Sequence, residues 1–112
     1  MRMRVYYYKT ASGRSPVTDY IDGLPEGDQA RFFEVLEEIE RHGLEAARII
    51  LKPLQGKLWE IKFSAVGGGY RILYAIITKD SMVWLHAFKK KTQKTPAKEL
   101  GLALKRLKEV MS

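Results

Sequence analysis

Apolar positions along this chain change their spacing twice, and each change marks a new kind of element. Residues 3–8 are mostly β-branched or aromatic and are followed by turn formers at 10–14, which predicts a first strand and a loop. Ser15-Pro16 then forms a helix start, with Ser15 placed to cap free amides and Pro16 at a first-turn position where its missing N–H costs nothing. Val17, Tyr20, Ile21 and Leu24 fall on one face of that helix. After a break at 24–27, Phe32, Val35, Leu36 and Ile39 repeat the spacing, while Glu34, Glu37, Glu38 and Glu40 lie elsewhere around the cylinder. Gly43 is placed to end this second helix in the left-handed conformation that glycine adopts without steric cost.

From Lys57 the helical period is lost. Three apolar runs at 57–63, 70–77 and 82–88, separated by short turns, predict an antiparallel meander. Strict alternation would set Trp84, His86, Phe88 and Lys90 on one face of the last strand, opposite Val83, Leu85 and Ala87. Thr95-Pro96 repeats the cap-then-proline signal, and Leu100, Ala103, Leu104, Leu107 and Met111 form the stripe of a last helix. The order β, α, α, β, β, β, α predicts an α+β domain, a small antiparallel sheet of about four strands with two helices before it and one after.

A chain of 112 residues suits one domain spanning 1–112, large enough to hold a core without a metal or disulfide. It contains no cysteine, which excludes disulfides, thiolate metal sites and a cysteine nucleophile. The two histidines and the scattered acids have no metal-ligand spacing, so neither a metal nor a cofactor is expected. The short apolar run near the start is unlike a signal peptide, and no run approaches the length of a membrane span, so a soluble cytoplasmic protein is expected. Charge sharpens the picture. Residues 1–56 hold 8 Lys and Arg against 9 Asp and Glu, a net of −1, whereas residues 57–112 hold 12 against 4, a net of +8. Such a one-sided field attracts polyanions, of which phosphate backbones are the commonest, and it would equally suit an acidic protein partner.

The ordered set Leu54-Gln55-Gly56-Lys57-Leu58-Trp59-Glu60-Ile61-Lys62, Tyr70-Arg71-Ile72-Leu73-Tyr74 and Leu85-His86-Ala87-Phe88-Lys89-Lys90-Lys91-Thr92-Gln93-Lys94-Thr95-Pro96 resembles the RelE/ParE toxin superfamily, and within it the HigB-like, phage-derived branch. The resemblance implies a RelE-like fold and the toxin of a type II toxin-antitoxin pair. It further implies an endoribonuclease that enters the ribosomal decoding site and cuts messenger RNA there. Its partners would be messenger RNA, the ribosome and a cognate antitoxin, expected to be a helix-turn-helix protein.

Metal-free RNA cleavage uses the substrate's 2′-hydroxyl against the adjacent phosphorus. The protein must then take that proton, neutralise the growing charge on the phosphate oxygens and protonate the departing 5′-oxygen. Arg71 leads the candidates, because a guanidinium in an otherwise apolar strand needs an anion or an opening, and its planar fork suits a phosphate. The competing reading is an internal ion pair with an acid such as Glu60. Glu60 and Lys62 share a sheet face, and the resemblance gives Lys62 an electrostatic or proton-transfer role. His86 has the side chain that trades protons near neutrality, and with Glu60 completes the set of proton handlers. Lys90 is placed to reach the scissile group. Lys57, Lys89, Lys91 and Lys94 would follow the phosphates, and Tyr70 and Phe88 would stack on splayed bases or else pack in the core. The Gly67-Gly68-Gly69 run lacks the residues of a phosphate loop and suggests hairpin flexibility. Two other functions stay open: a ParE-like toxin that poisons DNA gyrase by contact, and a basic module that binds nucleic acid without chemistry.

Overall fold

In the computed structural model, which describes residues 2–46 and 48–112, the chain forms three layers. Its elements are β1 (Arg4–Tyr7), α1 (Pro16–Asp22), α2 (Glu26–His42), a short 3-10 turn (Gly43–Glu45), β2 (Ile50–Gln55), β3 (Leu58–Ala65), β4 (Gly68–Thr78), β5 (Ser81–Lys89) and α3 (Ala97–Met111). The five strands form one sheet in the order β1-β5-β4-β3-β2. The helical pair α1–α2 carries the chain from one edge of the sheet to the other.

The α+β expectation stands, with two differences in the sheet. A fifth strand, β2, covers the edge of β3. It was hidden because Pro53 lies inside it, and proline is tolerated where its missing N–H faces away from the ladder, on an edge strand. The sheet is also mixed, since β1 runs parallel to β5, while β3 to β5 form the expected antiparallel meander and β2 extends it.

Each sheet face buries its own core. On one side Val17 and Ile21 of α1 and Phe32, Val35 and Ile39 of α2 pack on Ile61, Tyr70, Ile72, Tyr74 and Trp84. On the other, α3 covers Leu58, Leu73, Ala75, Val83, Leu85 and Phe88, with Ala103 its one fully buried residue. A bulge decides what β5 presents to each side. The register steps from Leu73 opposite His86 to Tyr74 opposite Trp84, leaving Leu85 as the extra residue. Trp84 therefore enters the core beneath α1 and α2, while Leu85, His86 and Phe88 turn toward α3. Alternation had joined Trp84 to His86, and the bulge separates them.

Both expected caps differ in detail. The Ser15 side chain makes no capping hydrogen bond at α1, although proline does stand in the first turn. At α3 the N-cap position falls to Pro96, and the Thr95 hydroxyl bonds elsewhere. Gly43 ends α2 with a positive φ of 63°, which suits glycine, but its ψ of −136° departs from the left-handed helical conformation expected there.

Candidate functional site

Strands β3, β4 and β5 bring four of the sequence candidates, Lys62, Arg71, Phe88 and Lys90, onto the α3 face in two cross-strand rows. Lys62, Arg71 and Phe88 are directly opposite one another, and the next row along is Ser64, Gly69 and Lys90. Opposed side chains in such rows begin about 5 Å apart at their Cβ atoms. Lys90 lies over Gly69, which has no side chain of its own: a Cβ there would stand 3.6 Å from Lys90 Cβ. Beyond Lys90, residues 91–96 form an irregular strap that leads into α3 and carries exposed Lys91 and Lys94.

Arg71 sits under this strap, and it is not available to a substrate. Only 1% of its surface is exposed. Its Nη2 donates to the carbonyls of Thr92 at 3.0 Å and Gln93 at 2.5 Å, and its Nη1 donates to Thr95 Oγ1 at 3.1 Å. Glu60 Oε2 lies 3.6 Å from Nη1 and accepts a hydrogen bond from the Thr95 hydroxyl at 2.5 Å. The internal ion pair thus prevails over the phosphate ligand. With Glu60 also 1% exposed, it too is withdrawn from the part of a base. Burying both charges is tolerable because most of their donors and acceptors are engaged; Arg71 Nε alone has no partner.

His86 is engaged on both ring nitrogens. Its Nε2 meets Glu99 Oε1 at 3.1 Å, and its Nδ1 accepts from Arg106 Nη1 at 3.4 Å, which itself donates to the Leu85 carbonyl at 2.9 Å. A neutral ring protonated at Nε2 satisfies all of these contacts. Burial holds the His86 pKa below its usual value, and the Glu99 hydrogen bond opposes that shift in part. The histidine accordingly joins α3 to the sheet and has no nitrogen facing outward.

The other candidates separate in the same way. Tyr70 and Phe88 are buried, with Tyr70 packed on Phe32 and Phe63 and Phe88 stacked on His86, so neither offers a face to a base. Lys57 precedes β3 at the end away from the strap, about 17 Å from Lys62 at a strand rise of ~3.4 Å per residue. Lys89 points to the opposite face, beside Gly68 and toward Asp28. What remains on the α3 face is Lys62, half-buried, with Lys90 in the next row, and the strap that follows adds exposed Lys91 and Lys94. Among the described residues no ion pair involves Lys62, Lys89, Lys90, Lys91 or Lys94.

The family model for "Phage derived protein Gp49-like (DUF891)" matches residues 19–108, from within α1 to near the end of α3. The chain belongs to this family. Its phage-derived kinship is therefore as the sequence motifs implied. No curated protein matches the chain. The matched span contains every candidate named above, together with the partners that fix them in place.

The roles of three of those partners, Thr95, Glu99 and Arg106, were not legible in the sequence, because each bonds from the strap or α3 to a sheet residue 10 or more positions away. Asp28 was hidden for the same reason. It sits in the first turn of α2, buried, and accepts hydrogen bonds from the Tyr70 hydroxyl and, at 2.7 Å, from the Gly67 amide. The glycine run is thus a close-packed hairpin tip rather than a flexible one, since a Cβ at Gly67 would overlap the Asp28 carboxylate.

The Tyr70 hydroxyl, followed by the Gly67 amide, holds the Asp28 pKa below the ordinary carboxylate value of 3.8. A group whose pKa is depressed by folding contributes stability above its unfolded pKa and loses it as the pH falls through the folded one. Denaturant titrations between pH 5 and pH 2, chosen to span about the carboxylate range, are expected to show stability falling below about pH 4, and the acid limb flattening in Asp28→Asn. An unchanged limb in that variant would contradict the assignment.

Proposed function

We propose that this protein is the toxin of a toxin-antitoxin pair, and that it stops translation by cleaving messenger RNA at the lysine-lined face between β3 and the strap. The observation that carries the reading is that Lys62 and Lys90 stand in successive rows of one sheet face, with exposed Lys91 and Lys94 following on an anchored strap, and that no acid is paired to any of them among the described residues. A patch of one sign without acidic partners attracts a polyanion. Family membership supports the toxin reading, as does the cross-strand placement of the lysine to which the RelE/ParE resemblance gives an electrostatic or proton-transfer role.

In this mechanism the 2′-hydroxyl attacks the neighbouring phosphorus. A 2′,3′-cyclic phosphate forms as the P–O5′ bond breaks. Lys90 neutralises the charge growing on the phosphate oxygens, the 2′-proton passes to water, and the Lys62 ammonium donates a proton to the departing 5′-oxygen and regains one from solvent, because Glu60 and His86 are engaged internally. Arg71 acts from beneath, through the strap. The antitoxin would silence the protein by covering this face. Cell-free translation with mapping of message 5′ ends tests the proposal. New ends appearing only when the pure protein is added are expected, and messages left intact would overturn it.

A second reading follows from the internal engagement of Arg71, Glu60 and His86. Three of the five expected catalytic groups face inward, as they would in a ParE-like toxin that blocks DNA gyrase by contact without cutting RNA. Inhibition of supercoiling in a purified gyrase assay, with messages intact, would establish that alternative.

A further inference from the structure

We infer that Thr95, held between Glu60 and Arg71, is the positioning residue that shapes the lysine-bearing strap to receive a single-stranded RNA backbone; the inference rests on the RNA reading above. Sequence alone gives Thr95 another task. Ahead of Pro96 it stands where a helix-capping hydroxyl is expected, yet its hydroxyl donates to Glu60 Oε2 at 2.5 Å and accepts from Arg71 Nη1 at 3.1 Å. A hydroxyl can donate and accept at once, which suits it to link a buried carboxylate to a buried guanidinium.

Through Thr95 the strap gains a fixed end. Arg71 holds the carbonyls of Thr92 and Gln93 from the same buried point, so three strap residues hang from one guanidinium. Between and beside these anchors lie Lys91 and Lys94, both solvent-exposed, and Lys90 over the open Gly69 position. Thr92, Gln93 and Lys94 form no regular element, and Thr92 adds a local hydrogen bond of its own at 2.6 Å to the Lys94 carbonyl. Lysines on an unanchored loop would lose side-chain and backbone entropy with every phosphate they met. Anchoring removes the backbone part of that cost before RNA arrives. The device therefore sets how many phosphates are engaged simultaneously, without contributing a charge that touches the RNA.

The test uses a fluorescent single-stranded oligoribonucleotide, 2′-O-methylated so that it cannot be cut, titrated at several salt concentrations. For single strands each phosphate contact contributes about 0.7 to the slope of log affinity against log salt. Thr95→Val keeps every lysine and the net charge. It is expected to weaken binding about tenfold at low salt and to flatten the slope by roughly 1.4, the loss of about two contacts. Thr95→Ser, which retains the hydroxyl, should restore both. Arg71→Lys, which keeps a cation beside Glu60 but loses the fork that spans the two carbonyls, is the second variant and should behave like Thr95→Val. A folded Thr95→Val or Arg71→Lys protein with wild-type affinity and slope would overturn the positioning role alone. Failure of the wild-type protein to bind the oligomer would overturn the RNA reading, and the positioning role with it.

Discussion

Arg71→Ala is expected to destabilise the fold by about 3–5 kcal/mol, because it strands the Glu60 carboxylate in a site where 1% of its surface meets water. At about 4–5 °C per kcal/mol for a domain of this size, the melting temperature should fall by roughly 10–25 °C. A catalytic arginine at the surface would behave differently, losing activity with its stability intact. The double variant Glu60→Leu with Arg71→Met removes both charges and is expected to melt close to the wild type, since replacing a buried pair by apolar side chains of similar size is often neutral or stabilising. Wild-type stability in Arg71→Ala would show that the ion pair contributes nothing. The distinction matters for function, because an inactive Arg71→Ala protein that is largely unfolded at assay temperature says nothing about chemistry.

The second large effect concerns the lysines. Changing Lys62 or Lys90 to methionine keeps much of the aliphatic stem and removes the charge. Each change is expected to slow message cleavage by about 10²–10³-fold, the usual consequence of losing one well-aimed donor to a developing phosphorane. Neither residue is paired with an acid among the described residues, so the melting temperature should stay within a few degrees of the wild type. Lys57→Met serves as the control, since Lys57 lies at the far end of β3 and its loss should leave the rate nearly unchanged. Equal losses for Lys57 and Lys90 would mean that only overall charge counts, and would favour binding without a defined site.

The measurements together separate two kinds of basic residue in the C-terminal half. Arg71 and Arg106 are turned inward, holding the strap and α3 to the sheet. Lys62, Lys90, Lys91 and Lys94 are without acidic partners among the described residues and are the ones a polyanion would meet. A guanidinium offers five donors in a fixed plane and satisfies several carbonyls at once, whereas an ammonium on a flexible stem remains near water. The chemistry of each residue type matches where the fold has put it.

Periodicity was enough to locate α1, α2, α3 and the three meander strands, because each buries one face against a core and so repeats every 3.6 or every 2 residues. The asymmetry of charge was equally plain, as was the likelihood that Arg71 had a specific partner. Burial partners were a different matter. Whether Arg71 would face an RNA phosphate or Glu60 depended on where the strap crosses β4, and whether His86 would share a face with Trp84 depended on one extra residue at Leu85. Local sequence determines how a segment wishes to fold. Which buried charge meets which acceptor is decided by contacts between residues 11 to 35 positions apart, such as Arg71 with Glu60 and Thr95 with Glu60, and those exist only after the sheet, the strap and α3 have packed together.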